Sequence, residues 1–521
     1  MEEIGERFAR RKALVLFTAA ATTAILRLSL LWLIPVPVPT AHDEFSYLLA
    51  ADTFAHGRVT NTSHPMWVFF ETIHVNQHPN YMSKYPPGQG LLLAVGELLG
   101  QPWIGVLLGM TAMCVSVVWM LQGWLPPSWA LLGGVLVVLR FAAFNYWIDS
   151  YWGGSLAATG GALTMGALPR LFRRPRSLYA VELAIGLTML AYSRPVEGLV
   201  FSLPLAVVFC AWLLRARPPW SAKLWKGVVP LAVVMGATMS WLGYYNWRNT
   251  GDPLLFPYLV YERAYFTSPP LLVQRLPAAR QFLNPQLTDQ SEDQRAEYRE
   301  HRARMLLTIW RRTRGFLLFL CGPLLAAPLI TLPWLLRDLR MRLLWVQLLI
   351  CWFVLMAITF FSVHYAAPLT ATVFALAMQG MRHLRRWHWG ETPVGILFTR
   401  AIVLVCMALV PAHLGKTWFD VHHGVVWADT SMYARADIAG KLKATPGEHL
   451  VIVRYATGHD VHDEWVYNAA DVDHAKVVWA RQIPGVDLKP LLKYFHDRRV
   501  WIVEPDSHDI QLRDYPAPQT P

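Results

Sequence analysis

Long apolar runs separated by short polar connections fill the chain from about residue 13 to residue 412. Windows close to the ~20 residues that cross a hydrocarbon core fall at 13–34, 101–121, 129–147, 152–169, 178–193, 197–214, 227–246, 315–335, 343–363, 366–381 and 394–412. About eleven membrane-spanning helices are therefore expected. The two windows flanking Ser193-Arg194-Pro195 are short, and a further apolar piece at 88–99 fits a re-entrant segment. The first run follows Arg10-Arg11-Lys12 without a small-residue cleavage site, so it reads as a retained helix and not as a signal peptide.

Two long connections and a tail interrupt this pattern. Residues 35–87 open with "PVPVPT", carry Phe45, Leu48, Leu49 and Phe54 at helical spacing, and end in "YMSKYPPGQG". That spacing predicts an amphipathic helix lying on the membrane. Residues 247–314 are mostly polar and close with the Arg-rich stretch "EDQRAEYREHRARMLLTIWRRTRG", expected to be a helix running into a span. From 430 onward, strand-like runs at "HLVIVRY", "AKVVWAR" and "RRVWIVEP" mix with helical stretches at "YARADIAGKLKA" and "LKPLLKYFHD". They predict a small soluble α/β domain over 430–521. The fold class is a polytopic α-helical membrane protein over 1–429 followed by that domain.

Composition agrees: 54% of residues are hydrophobic, 16% are charged, and the chain holds 24 Trp. The net charge of +12 is not read as a nucleic-acid signal, because basic excess in a membrane protein collects in cytoplasmic connections. Every second short connection is basic, namely "RLFRRPR", "RARPPWSAK", "RDLRMR" and "RHLRRWH". The intervening ones, "NYWIDSYW", "YSRPVEG" and "SVHYAAP", carry few cations. The N-terminus is thus expected to be cytoplasmic and, with an odd number of spans, the tail extracytoplasmic. Asp43, Glu44, Asp149, Arg194, His364 and both long connections then share the outer face of a multi-pass protein of the cell (inner) membrane. The five cysteines all lie in apolar runs, where thiols behave as small hydrophobes, and offer no disulfide framework. Neither G-x-x-x-x-G-K-[ST] nor G-x-G-x-x-G occurs, which argues against an ATP-driven pump or a Rossmann nucleotide-sugar enzyme.

One span, then a connection that opens with Asp43-Glu44 and closes with Lys84-Tyr85-Pro86-Pro87 before the next span, resembles the GT-C membrane glycosyltransferases. The likeness covers roughly residues 10–410 and is strongest to the family 39 branch, with its protein O-mannosyltransferases and aminoarabinose lipid A transferases. The tail departs from both relatives, and the Trp-Trp-Asp motif of oligosaccharyltransferases is absent. The resemblance implies transfer of a sugar from a polyprenyl-phosphate donor to a lipid, glycan or protein acceptor, amid membrane lipids and without nucleic acid.

It also implies roles. Asp43 is placed as the general base that removes the acceptor's proton, with Glu44 and Asp149 as further catalytic carboxylates. Lys84, with Tyr85, is placed at the leaving phosphate, where negative charge develops. Arg311, Arg312 and Arg314, basic residues on the outer face, are further phosphate candidates, with snorkelling to headgroups as the alternative. Arg194 and His364 are candidates to line the cavity; Arg194 and Glu197, one turn apart, also suit an internal ion pair. Structural readings stay open beside these: Thr40 or Asp43 as a helix cap, and Asp149 as a cap, an acceptor guide or a ligand for a divalent cation. His42, His56, His64, His74 and His78 crowd the first long connection but fit no compact ligand spacing, so they are expected to be solvated.

Three classes remain open: a lipid-linked-sugar glycosyltransferase, a transporter, flippase or ligase of lipid-linked glycans, and an assembly or sensor protein acting through its tail. Clustering of acids at one face favours surface chemistry over the midplane sites of transporters. The orientation is directly testable. A reporter that works only in the cytoplasm, fused after Pro521, gives no signal if the assignment holds; a strong signal reverses every face.

Overall fold

The computed structural model describes residues 2–422 and 430–515. The expected domain boundary at 429/430 adjoins residues 423–429, which lie outside the described residues. Each apolar window lies on a helix. Among the described residues seven helices are long and apolar enough to cross a membrane: Lys12–Ser29, Pro102–Trp124, Pro195–Leu214, Trp220–Thr250, Met305–Ile330, Leu339–Ala357 and Val394–Val421. The windows at 129–147 and 178–193 became the shorter helices Pro127–Phe141 and Ser177–Ser193. Those at 152–169 and 366–381 became Ser155–Arg173 and Thr370–Leu384. The last of these is buried along nearly its whole length, including Phe374, Met378 and Gly380, because other helices surround it on every side. Its uniform apolarity answers to protein neighbours and not to lipid.

Three boundaries differ from the sequence pattern. The Met305–Cys321 helix starts ahead of the window at 315, so Arg311, Arg312 and Arg314 are helical and not part of a connection. Gly322, at a positive φ of 52°, then breaks the rod. The Arg-rich stretch before it is a separate helix, Pro285–Ala303, ended at Arg304.

The piece at 88–99 is the helix Pro87–Leu98, wedged between His42–Ala55 and Pro102–Trp124. Small residues permit the wedge: a Cβ on Gly90 would lie 2.6 Å from the Ala50 Cβ, and one on Gly105 2.2 Å from the Leu92 carbonyl oxygen. His42–Ala55 itself does not lie on the membrane with a free face. Phe45, Tyr47, Leu49, Ala50 and Ala51 are all buried. One side packs on Pro87–Leu98 and the other contributes Phe45 and Leu49 to the core of the tail, together with Phe69, Phe70, Val75 and Tyr81.

The tail is the expected α/β unit. Strands His449–Val453, Val477–Arg481 and Arg499–Val503 pair in parallel with the first in the middle, and the short Arg513–Asp514 adds antiparallel to the third. All five residues of the central strand are buried, as expected of a parallel strand. Inside the unit Glu464 pairs with Arg481, both almost fully enclosed, and Arg481 also donates to Gln286 of the second long connection. The tail and the two long connections thus form one body over one end of the helical bundle.

Candidate functional site

Successive residues of a helix point about 100° apart, and Asp43 and Glu44 part accordingly. Glu44 turns back: its Oε2 accepts the backbone N–H groups of Thr40 at 2.7 Å and Ala41 at 3.0 Å, and its Oε1 that of Tyr151 at 2.8 Å. It is buried, and burial raises its pKa against those three hydrogen bonds. This is the reciprocal half of a capping box. The cap residue is Ala41, without a side-chain oxygen, so neither Thr40 nor Asp43 fills that role.

Asp43 faces the opposite way and keeps about a fifth of its side chain open. Tyr85 donates its hydroxyl to Asp43 Oδ1. The same hydroxyl lies 3.1 Å from His74 Nδ1, which is itself 3.6 Å from Asp43 Oδ1. His74 adopts a positive φ of 65°, which costs a non-glycine residue of order 1 kcal/mol or more. Neighbours hold it there: its N–H donates to the Tyr261 hydroxyl at 3.0 Å, and its carbonyl accepts from Ser46 Oγ at 2.7 Å and Lys84 N at 3.3 Å. Burial lowers the His74 pKa well below its ordinary value, with the Lys84 charge adding to the effect. The ring is therefore neutral near pH 7.

Lys84 is buried inside a cage of aromatic rings. Its Nζ lies 4.9 Å from the Tyr85 and Tyr261 centroids, 5.5 Å from Phe266 and 5.7 Å from Tyr258. Ring faces attract the cation, yet among the described residues no acceptor takes a hydrogen bond from Nζ. Burial pushes Lys84 down to about 7; Asp43 and Glu262 oppose the shift and Arg194 adds to it. The Arg194 guanidinium stacks 4.3 Å over Tyr365 and does not form a contact ion pair with Glu197, whose charge it feels through space. His364 is buried 3.2 Å from the Tyr146 hydroxyl, edge-on to Trp152 and Tyr365. Burial, then Arg194, lowers its pKa, and Asp43 opposes. Asp43, Lys84, Tyr85, Arg194 and His364 are thus one electrostatically connected cluster.

The remaining candidates lie apart. Asp149 accepts from Arg27 Nε at 3.0 Å, and Arg27 also donates to the carbonyls of Ile34 at 3.0 Å and Pro35 at 3.3 Å. Burial pushes Asp149 up to about 6 in spite of Arg27. The pair fastens the connection before Ser155–Arg173 to the end of the first span. Arg311 and Arg314 are exposed on their helix; Arg311 faces Glu300 at 4.0 Å, and neither makes a polar contact with the cluster. Arg312 is buried and donates to the carbonyls of Ile358 and Thr359, each at 2.6 Å.

The histidines correct the expectation of solvation. His56 and His78 are exposed, but His42 and His64 are buried because the tail covers them. His42 Nδ1 sits 2.7 Å from the Tyr467 hydroxyl, its Nε2 has no partner, and burial lowers its pKa to about 4. Among the described residues, Asp52, His56 and Glu97 bring ligand atoms within 4.8 Å of one another. Asp52 already accepts the Ala470 N–H at 2.6 Å, and the group does not include Asp43.

Sequence reasoning missed Arg27, His74 and the ring donors Tyr258, Tyr261 and Phe266. An arginine within the first apolar run and the aromatic density of "PYLVYERAYF" were the available signals.

No family model and no curated protein matches the sequence. Solved structures do match in shape. ArnT from Cupriavidus metallidurans bound to undecaprenyl phosphate superposes with a TM-score of 0.51 at 14% identity, over 94% of this chain and 92% of that one. The chain has the GT-C fold. The oligosaccharyltransferase AglB from Archaeoglobus fulgidus, in complex with an inhibitory peptide and a dolichol-phosphate, gives 0.42 at 12% identity, over 95% and 70%. A further structure of the Archaeoglobus fulgidus oligosaccharyltransferase, tethered to an acceptor peptide, gives 0.39 at 13%, with this chain spanning only 61% of its length. This multi-pass membrane protein therefore carries a GT-C bundle, with the Asp43 cluster where its first long connection meets the tail.

The split between the two adjacent acids has a measurable consequence. Glu44→Gln puts an NH₂ group against backbone donors and lowers stability by about 1–3 kcal/mol, read as a thermal-unfolding shift in detergent. Asp43→Asn keeps an oxygen to accept the Tyr85 hydroxyl and changes stability by less than about 1 kcal/mol. Equal losses would make Asp43 structural too.

Proposed function

We propose that this protein is an integral-membrane glycosyltransferase that moves a sugar from a polyprenyl-phosphate carrier to an acceptor on the extracytoplasmic face. The observation that carries this reading is the placing of Asp43, a partly open carboxylate, within the field of Lys84, a buried cation that has no hydrogen-bond acceptor among the described residues. The pair sits beside the Lys-Tyr-Pro-Pro turn that leads into Pro87–Leu98. The match in shape to a structure bound to undecaprenyl phosphate supports it, and the loop charges support the face.

In this mechanism the donor phosphate enters the aromatic cage and accepts hydrogen bonds from Lys84, with Arg194 adding positive charge. The bond between the sugar's anomeric carbon and the phosphate oxygen breaks, and its electron pair stays on the phosphate, where both cations stabilise it. The acceptor heteroatom bonds to the anomeric carbon and gives its proton to Asp43. Tyr85 and His74 fix the rotamer of Asp43, while Glu44 and Asp149 act at a distance, by holding the helix start and the 142–154 connection.

Two substitutions separate the parts, in assays with radiolabelled polyprenyl-phosphate sugars and membrane extract. Asp43→Asn lowers turnover by about 10² or more with donor affinity unchanged; a fully active variant removes Asp43 from the mechanism. Lys84→Met weakens donor binding about tenfold or more. Lys84 carries its charge below about pH 7 and loses it above, whereas a sugar phosphodiester keeps its negative charge throughout. Donor affinity of the native protein therefore falls as pH rises through that value, and the step is absent from Lys84→Met. A pH-independent affinity in the native protein moves the phosphate elsewhere.

A further inference from the structure

The first span runs from Lys12 to Ser29, and its far end leads into the connection that carries Asp43. At its near end, on the opposite side of the bundle from Asp43, lies a cavity of about 350 Å³. Lys12, Arg173, Arg340 and Arg382 line it, with Gln122 and Trp124 beside them, and no carboxylate does. These cations come from widely separated parts of the chain. Among the described residues none of the four forms an ion pair. Arg173 reaches the Gly123 carbonyl at 3.3 Å and Arg382 the Gln379 amide oxygen at 2.7 Å. The carboxylate that Arg382 feels, Asp338, is already engaged by Gln379 at 2.6 Å and His383 at 3.5 Å, while Arg340 and Arg386 repel Arg382.

Backbone groups add to the same field. Two helices begin at the cavity without a side-chain cap, Lys12–Ser29 and Pro127–Phe141, whereas the rod that runs on to Ala357 starts at Leu339 and is capped by Asp338, which accepts the Arg340 N–H at 3.1 Å. The Lys12 and Trp129 N–H groups already donate to the carbonyls of Arg10 and Pro126, so these helix starts add to the site mainly through the positive ends of their two macrodipoles. The bias of basic residues toward one membrane face accounts for their number. It does not account for their convergence on one hollow, because unpaired like charges repel. The volume lies within the ~300–1,000 Å³ usual for ligand sites.

We propose that this cavity binds a phosphate group, carried by an anionic phospholipid headgroup or as free phosphate, independently of the chemistry at Asp43. The experiment uses the purified full chain in neutral detergent, with phosphatidylglycerol, phosphatidylcholine or inorganic phosphate added. It reads the thermal-unfolding midpoint and, by native mass spectrometry, the phospholipid retained. Phosphatidylglycerol raises the midpoint and phosphatidylcholine does not, and the double variant R340Q/R382Q weakens the effect about tenfold or more. The double variant R174Q/R337Q removes equal charge at exposed positions outside the cavity and keeps the effect. Should R340Q/R382Q fail to fold, Lys12→Gln at an exposed position repeats the test. Inorganic phosphate that saturates the site, with no added effect of lipid, assigns it to free phosphate; lipid binding without a phosphate effect assigns it to a headgroup. The proposal is overturned if neither anion stabilises the native protein, or if both double variants weaken binding equally.

Discussion

A desolvated ammonium group constrains this end of the molecule more than any other single feature. Lys84 is buried without a hydrogen-bond acceptor among the described residues, and aromatic faces together with the charges of Asp43 and Glu262 recover part of that cost. Keeping the cage in place demands the surrounding design. Tyr258, Tyr261 and Phe266 come from the second long connection, more than 170 residues along the chain, so that connection must be fastened to the first. Asn76 reaches the Pro257 carbonyl, Asn80 those of Arg248 and Asn249, and His74 gives its N–H to Tyr261 while accepting a left-handed backbone. Asp43 lies within the field of the same charge. The carboxylate favours the charged form of the cation, against the burial that disfavours it.

Much of the bundle could be read from the chain because apolar runs of about 20 residues have few other uses. The tail's strands were equally visible, since buried parallel strands are continuously apolar. Pattern failed where one segment serves two masters. Phe45, Leu48, Leu49 and Phe54 have the spacing of a membrane-surface helix, yet Phe45 and Leu49 face protein. No local pattern distinguishes lipid from a domain 400 residues away. The site divided in a similar way. Asp43 and Lys84 stood out by motif, and the structure brings them together; Arg194 and His364 join them from two other helix ends.

Glu44 and Asp149 show why acidic residues at a membrane end are hard to sort from sequence. A carboxylate that fastens a helix start and one that performs chemistry need the same composition, depth and neighbours. What separates them is how many donors have already been spent on each. Glu44 is fully subscribed by backbone N–H groups and Asp149 by an arginine, whereas Asp43 keeps an open side. Hydrogen-bond occupancy is a three-dimensional property, and it makes Glu44 and Asp149 fixtures in the present reading.

The stacking of Tyr467 on Phe45, with ring centroids 4.2 Å apart and the Tyr467 hydroxyl on His42, joins residues separated by about 420 positions. At roughly 5–20 residues per second of synthesis, the helix bearing Asp43 exists for some tens of seconds before its cover has been made. During that interval Phe45, Leu49, Phe69 and Phe70 lack the tail residues that complete their cluster and have only neighbours such as Val75 and Tyr81 beside them. A ribosome that stops after the last apolar helix leaves a bundle with an unroofed site. Closure of the end that holds Asp43 thereby waits on synthesis of the tail, so the order of the chain sets the order in which the two sides of that seam become available to each other.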